Sequence, residues 1–85
     1  MTLDEYIDKL SDVQFMIYDA SCPSDLLKCE SILINILLEA EADDDLTEDN
    51  LDEIWERREH LLIEIYEKYP TLRESMVAFL PNLRY

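Results

Sequence analysis

Apolar side chains fall at Leu3, Ile7, Leu10, Val13 and Ile17, with Tyr6 beside them. That three-and-four spacing draws a single stripe along a helix. Thr2 followed by Glu5 forms a capping box, so the helix is predicted to begin there and to run to about Tyr18. Pro23, in the stretch ASCPSD, cannot continue that helix and suits the first position of the next. The second helix, PSDLLKCESILINILLEA, is apolar around most of its circumference. At ~100° per residue only Lys28, Ser31, Asn35 and Glu39 make a polar strip. A helix of that kind is expected in the middle of a bundle, or under a partner.

A third helix starts at Thr47, with Leu46 before the cap and Leu51 after it placed as a hydrophobic staple. Its predicted core stripe is Leu51, Ile54, Trp55, Leu61, Leu62, Ile65, Tyr66 and Tyr69, ending at Pro70. At ~1.5 Å per residue it would be roughly 33 Å long. A second capping box at Thr71 and Glu74 predicts a short fourth helix through Met76, Phe79 and Leu80, stopped by Pro81. Leu83 and Tyr85 are then expected to fold back on the core. The connector EADDDL is short enough to make helices two and three antiparallel. The expected fold is all-α: a small four-helix array, three main helices plus a short C-terminal one, with residues 1–85 as a single acidic domain.

Charge changes the picture most. The 85 residues carry 21 acids against 7 bases, a formal net charge of −14. Apolar content of 48% argues for a folded chain in spite of that imbalance. Such a charge repels nucleic acid and anionic membrane and steers the protein toward basic partners, so direct contact with either is not expected. Glycine is absent, and phosphate-cradling loops depend on it, which excludes Walker and Rossmann sites. The N-terminus is acidic where a secretory signal would be basic, and no apolar run reaches ~18 residues. A cytoplasmic protein with reduced Cys22 and Cys29 is the expectation.

Catalytic, cofactor and metal chemistry find little support. His60 is the only histidine, flanked one turn away by Glu56 and Glu64. Di-iron bundles place Glu three residues before each histidine, and Arg57 stands there instead. His60 therefore reads as an exposed side chain. Cys22 near a helix N-terminus is opposed as a thiolate by the surrounding acids and has no second histidine nearby in sequence, and Cys29 reads as a small core residue. Arg58 falls in the middle of the third helix's apolar stripe. It reads as a structural arginine that pairs with an acid and lays its stem across the core edge. The competing reading is a contact to a partner.

The acidic faces remain. Asp4, Glu5, Asp8, Asp12 and Asp19 share one arc of the first helix. Asp49, Asp52, Glu53, Glu56, Glu59, Glu64 and Glu67 cover the outer face of the third. Solvated helix faces commonly alternate acids with Lys at i+4, whereas these set acid near acid, at a cost of a few tenths of a kcal/mol per pair. A cost borne so widely points to a use. Acids spaced every three or four helical residues give one charge per roughly 5 Å. Duplex DNA carries one per ~1.7 Å, so mimicry of phosphate would be loose. Phe15 and Ile63 project among these acids, away from the core stripes. The expected partner-binding set is accordingly Asp8, Asp12, Phe15, Asp49, Asp52, Glu53, Glu56, Glu59 and Ile63.

The function these features favour is a non-enzymatic inhibitor that occludes a basic, nucleic-acid-binding site on another protein. An immunity protein or antitoxin against a nuclease would fit, as would a phage anti-defence protein acting on a polymerase or a host defence complex. A homodimer is compatible with the same pattern. The alternative is a small adaptor or chaperone that docks a partner helix through the apolar surface of the second helix.

Overall fold

A computed structural model describes the backbone of residues 1–79 and the side chains of residues 1–73. It contains three α-helices and, among the described residues, no strand: α1 (Leu3–Asp19), α2 (Pro23–Glu41) and α3 (Glu48–Phe79). The local start signals act as the sequence suggests. Thr2 Oγ1 accepts the Glu5 backbone N–H while the Glu5 carboxylate accepts the Thr2 N–H, which closes the capping box. At α3, Asn50 takes the reciprocal role: its N–H donates to Thr47 Oγ1 and its Oδ1 accepts from the Thr47 N–H. Leu46 and Leu51 pack against the core on either side of that cap.

Two cross-helix contacts fix the topology. Tyr6 near the start of α1 bonds to Asp43 in the α2–α3 connector, and Lys9 pairs with Glu39 near the end of α2. At the other end, Lys68 of α3 bonds to the last carbonyls of α1. α1 therefore runs alongside α3 in the same direction, and α2 runs against both. Each helix touches the other two.

The interior is one apolar cluster in which Leu26, Leu33 and Ile54 are fully enclosed. Sequestering a side chain of that size contributes about 1.5–3 kcal/mol. From α1 the buried residues are Tyr6, Leu10, Val13 and Ile17, the predicted stripe with Ile7 at its edge. Cys29 is buried as a core residue, and burial raises its thiol pKa.

Three expectations change. First, α2 is not central: three mutually packed helices have no middle position. It buries Leu26, Cys29, Leu33, Ile36 and Ala40 and leaves Leu27, Ile34 and Leu38 exposed. Second, Trp55 and Tyr66 stand outside the core, at 50% and 60% exposure. Third, Pro70 does not separate two helices, because α3 runs through it to Phe79. Proline fixes φ near a helical value but removes the bond to the carbonyl four residues back and crowds it. Pro70 sits on the exposed side, while Tyr69 and Leu72 pack against the core on either side of it. Those two anchors keep the axis continuous and place Thr71 inside the helix. The predicted stop at Pro81 and the return of Leu83 and Tyr85 fall outside the described residues.

Candidate functional site

The acids divide into those that hold the fold and those without an internal partner. Asp43 is the main structural one. Its Oδ2 accepts the Tyr6 hydroxyl at 2.7 Å and the Met1 ammonium at 3.0 Å, and its Oδ1 accepts the Asp45 N–H at 3.0 Å. The Tyr6 hydrogen bond, followed by the ammonium, holds the Asp43 carboxyl down at about 2. Burial, followed by the bond to Asp43, pushes the Tyr6 phenol up to about 12. The acidic connector is thus clasped to α1 by one carboxylate. Nothing in the local sequence separates Asp43 from Asp44 or Asp45, because its partner is 37 residues away.

Lys68 is a second structural position that the sequence does not announce. Its ammonium donates to the carbonyls of Ile17 and Tyr18, both at 2.7 Å. The Ile17 carbonyl also accepts the Ala20 N–H at 3.2 Å, whereas the Tyr18 carbonyl is one of those that the end of a helix leaves without an intrahelical partner. A cation there also meets the negative end of the helix dipole. No basic residue in the last turn of α1 does this work. Arg58 is largely buried, with its side chain 14% exposed and Nη1 at 3.3 Å from the Glu59 carboxylate. Its Nε is buried without a hydrogen-bond partner among the described residues.

The residues predicted to meet a partner lie at the surface but in two places. Asp52, Glu56, Glu59 and Ile63 share a shallow hollow of about 260 Å³ on α3, with Trp55 and His60 at its edges. Phe15 lines a separate hollow of about 310 Å³ between α1 and α2, with Asp19 and Lys28 among its neighbours. Phe15 is 70% exposed and Ile63 51%. Asp8, Asp12, Asp49, Asp52 and Glu56 are exposed, and none of them pairs with a base among the described residues. Glu53 and Glu59 differ. Glu53 accepts from Arg57 at 3.1 Å, and Glu59 is the partner of Arg58.

His60 is exposed beside Glu56 and Glu59. Among the described residues no group of three or more His, Cys, Asp or Glu side chains is placed to hold a metal ion. No described helix is long and apolar enough to cross a membrane. Set against models of protein families, curated proteins and solved structures, the chain matches none.

Proposed function

We propose that this protein is a non-enzymatic inhibitor whose acidic faces cover a basic, nucleic-acid-binding site on another protein. The observation that carries this reading is the set of exposed carboxylates at Asp8, Asp12, Asp49, Asp52 and Glu56 that pair with no base among the described residues. Among the described residues, every base that forms an ion pair does so with some other acid, which leaves these for a partner. Phe15 and Ile63 stand beside them as apolar anchors. Charge speeds the encounter and anchors slow the release, which is how small interfaces become tight.

Affinity capture from the source cells in about 0.1 M salt, repeated in about 1 M, tests the electrostatic component. The partner should be retained in the first and released in the second. Its binding to a labelled duplex should fall when this protein is added. Retention at high salt with duplex binding unimpaired overturns the reading.

A second reading, an adaptor that docks a partner helix, is favoured by one specific observation. Leu27, Ile34 and Leu38 of α2 and Trp55 and Tyr66 of α3 are large apolar side chains left in solvent.

A further inference from the structure

The exposed apolar residues of α2 and α3 belong to one face. α1 meets α3 along Arg57, His60 and Glu64, and meets α2 on the side of Lys9 and Glu39. At ~100° per residue, Trp55 and Tyr66 stand on the opposite edge of the α3 core stripe from His60 and Glu64. Ile34 and Leu27 likewise stand across the α2 stripe from Glu39. Both sets therefore flank the α2–α3 seam on the side turned away from α1.

Their spacing sets the length of what could lie there. Leu27 to Leu38 and Trp55 to Tyr66 each span 11 residues, about 16 Å or three helical turns. Because α2 and α3 are antiparallel, Leu38 lies toward the Trp55 end and Leu27 toward the Tyr66 end. Carboxylates stand among and beside these side chains: at ~100° per residue Glu30 and Glu41 fall between the α2 core stripe and Ile34, and Asp52 and Glu59 fall just outside Trp55 and Tyr66 on α3. Between Trp55 and Tyr66 the only base on this side is Arg58, which is largely buried against Glu59. An apolar strip interspersed with carboxylates complements an amphipathic helix whose apolar face is bordered by Lys or Arg.

A second copy fits less well, because it would bring another −14 chain against the same carboxylates. We propose that this α2–α3 face is a docking site for a basic amphipathic helix of a partner protein. The proposal rests on the adaptor reading and adds the chemistry of the partner to it.

Trp55 is the only tryptophan and reports on the face directly. The full chain would be titrated with three synthetic 18-residue amphipathic peptides, with Leu on one face and Lys, Ser or Glu on the other. Trp55 emission gives the affinity, and NMR shifts give the location. The Leu/Lys peptide should shift Trp55 to the blue, perturb Ile34 and Leu38, and bind about tenfold tighter than Leu/Ser. Ile34→Asp, checked for an unchanged helical spectrum, should weaken it by about tenfold or more. Equal binding of Leu/Ser would overturn the basic chemistry while leaving helix docking intact. No binding by any peptide, or shifts centred on Phe15, would overturn the site itself. Two further results would also overturn the proposal. One is a concentration-dependent mass by sedimentation with Trp55 buried, which would make the occupant a second copy. The other is a Trp55 red shift on removal of residues 80–85, which would make the chain its own occupant.

Discussion

α3 borders two seams, and they are finished differently. Toward α1 the seam is closed with polar chemistry: Lys68 bonds to the last carbonyls of α1, and Arg57, His60 and Glu64 edge the groove. Away from α1 the edge of the same helix is Trp55 and Tyr66, both at least half in solvent. The first side supplies bonds to the last carbonyls of α1, so its residues contribute to folding. Aromatic area on the second side contributes little to folding, because it has not been taken out of water. Contribution to stability and exposed aromatic surface are thus separated across the width of one helix.

The largest effect that could break this division belongs to Arg58, beneath the open side. Arg58→Glu would set a second acid beside Glu59 in a largely buried position and should cost about 3 kcal/mol. Urea unfolding measures this. Unchanged melting together with lost partner binding would move Arg58 to the functional side of the comparison. Next comes Lys68→Ala, which strips two charge-assisted bonds from the end of α1 and should cost about 1–2 kcal/mol. Loss of hydrogen-exchange protection confined to the end of α1 would identify the cap as the cause.

The Asp43 clasp makes a smaller contribution that depends on pH. The folded Asp43 carboxyl titrates at about 2 instead of the ordinary 3.8. Its contribution is therefore complete above pH 3.8 and is lost as pH falls from there toward 2. Tyr6 titrates at about 12 against an ordinary 10.0, so its contribution is complete below pH 10.0 and fades as pH rises toward 12. Asp43→Asn should flatten the acid limb of the stability profile relative to the parent protein. Parallel profiles for the two proteins between pH 2 and 3.8 would remove the clasp from the account.

The smallest stability effect is expected where the largest binding effect is. Phe15→Ala and Ile63→Ala should change unfolding by no more than about 0.5 kcal/mol, as exposed substitutions do. Each should weaken partner binding by more than about 1 kcal/mol. Early melting of either variant would mean that these residues support the core instead.

What the sequence discloses follows the range of each interaction. Thr2 with Glu5 and Thr47 with Asn50 act over three residues, and both caps are legible in the chain. So is the α1 stripe, since periodicity alone selects Tyr6, Leu10, Val13 and Ile17. Trp55 and Tyr66 were expected in the core because they adjoin the α3 stripe. Whether an edge is covered depends on where the neighbouring helix lies, and periodicity along one helix does not carry that information. Lys68 and Asp43 work across 50 and 37 residues and leave no local trace. Pro70 misleads for a related reason: a local helix-stop signal is overridden by Tyr69 and Leu72, which pack on both sides of it. Of the expected partner surface, exposure was legible at Phe15 and Ile63. The ties of Glu53 to Arg57 and of Glu59 to Arg58 had to be seen in three dimensions.

The described backbone contains no cis peptide bond and no residue with positive φ, and the chain has no glycine. No described position therefore demands glycine, and steric strain selects no residue type along the helices. What constrains the sequence is volume at the buried positions and the chemistry of a few partners: Tyr6 with Asp43, Lys68 with the end of α1, and the two capping threonines. Outside those, and away from any surface that a partner reads, substitutions are filtered by helix propensity and charge, which are gradual penalties. Such a protein can exchange most of its surface over evolutionary time while its three helices stay in place.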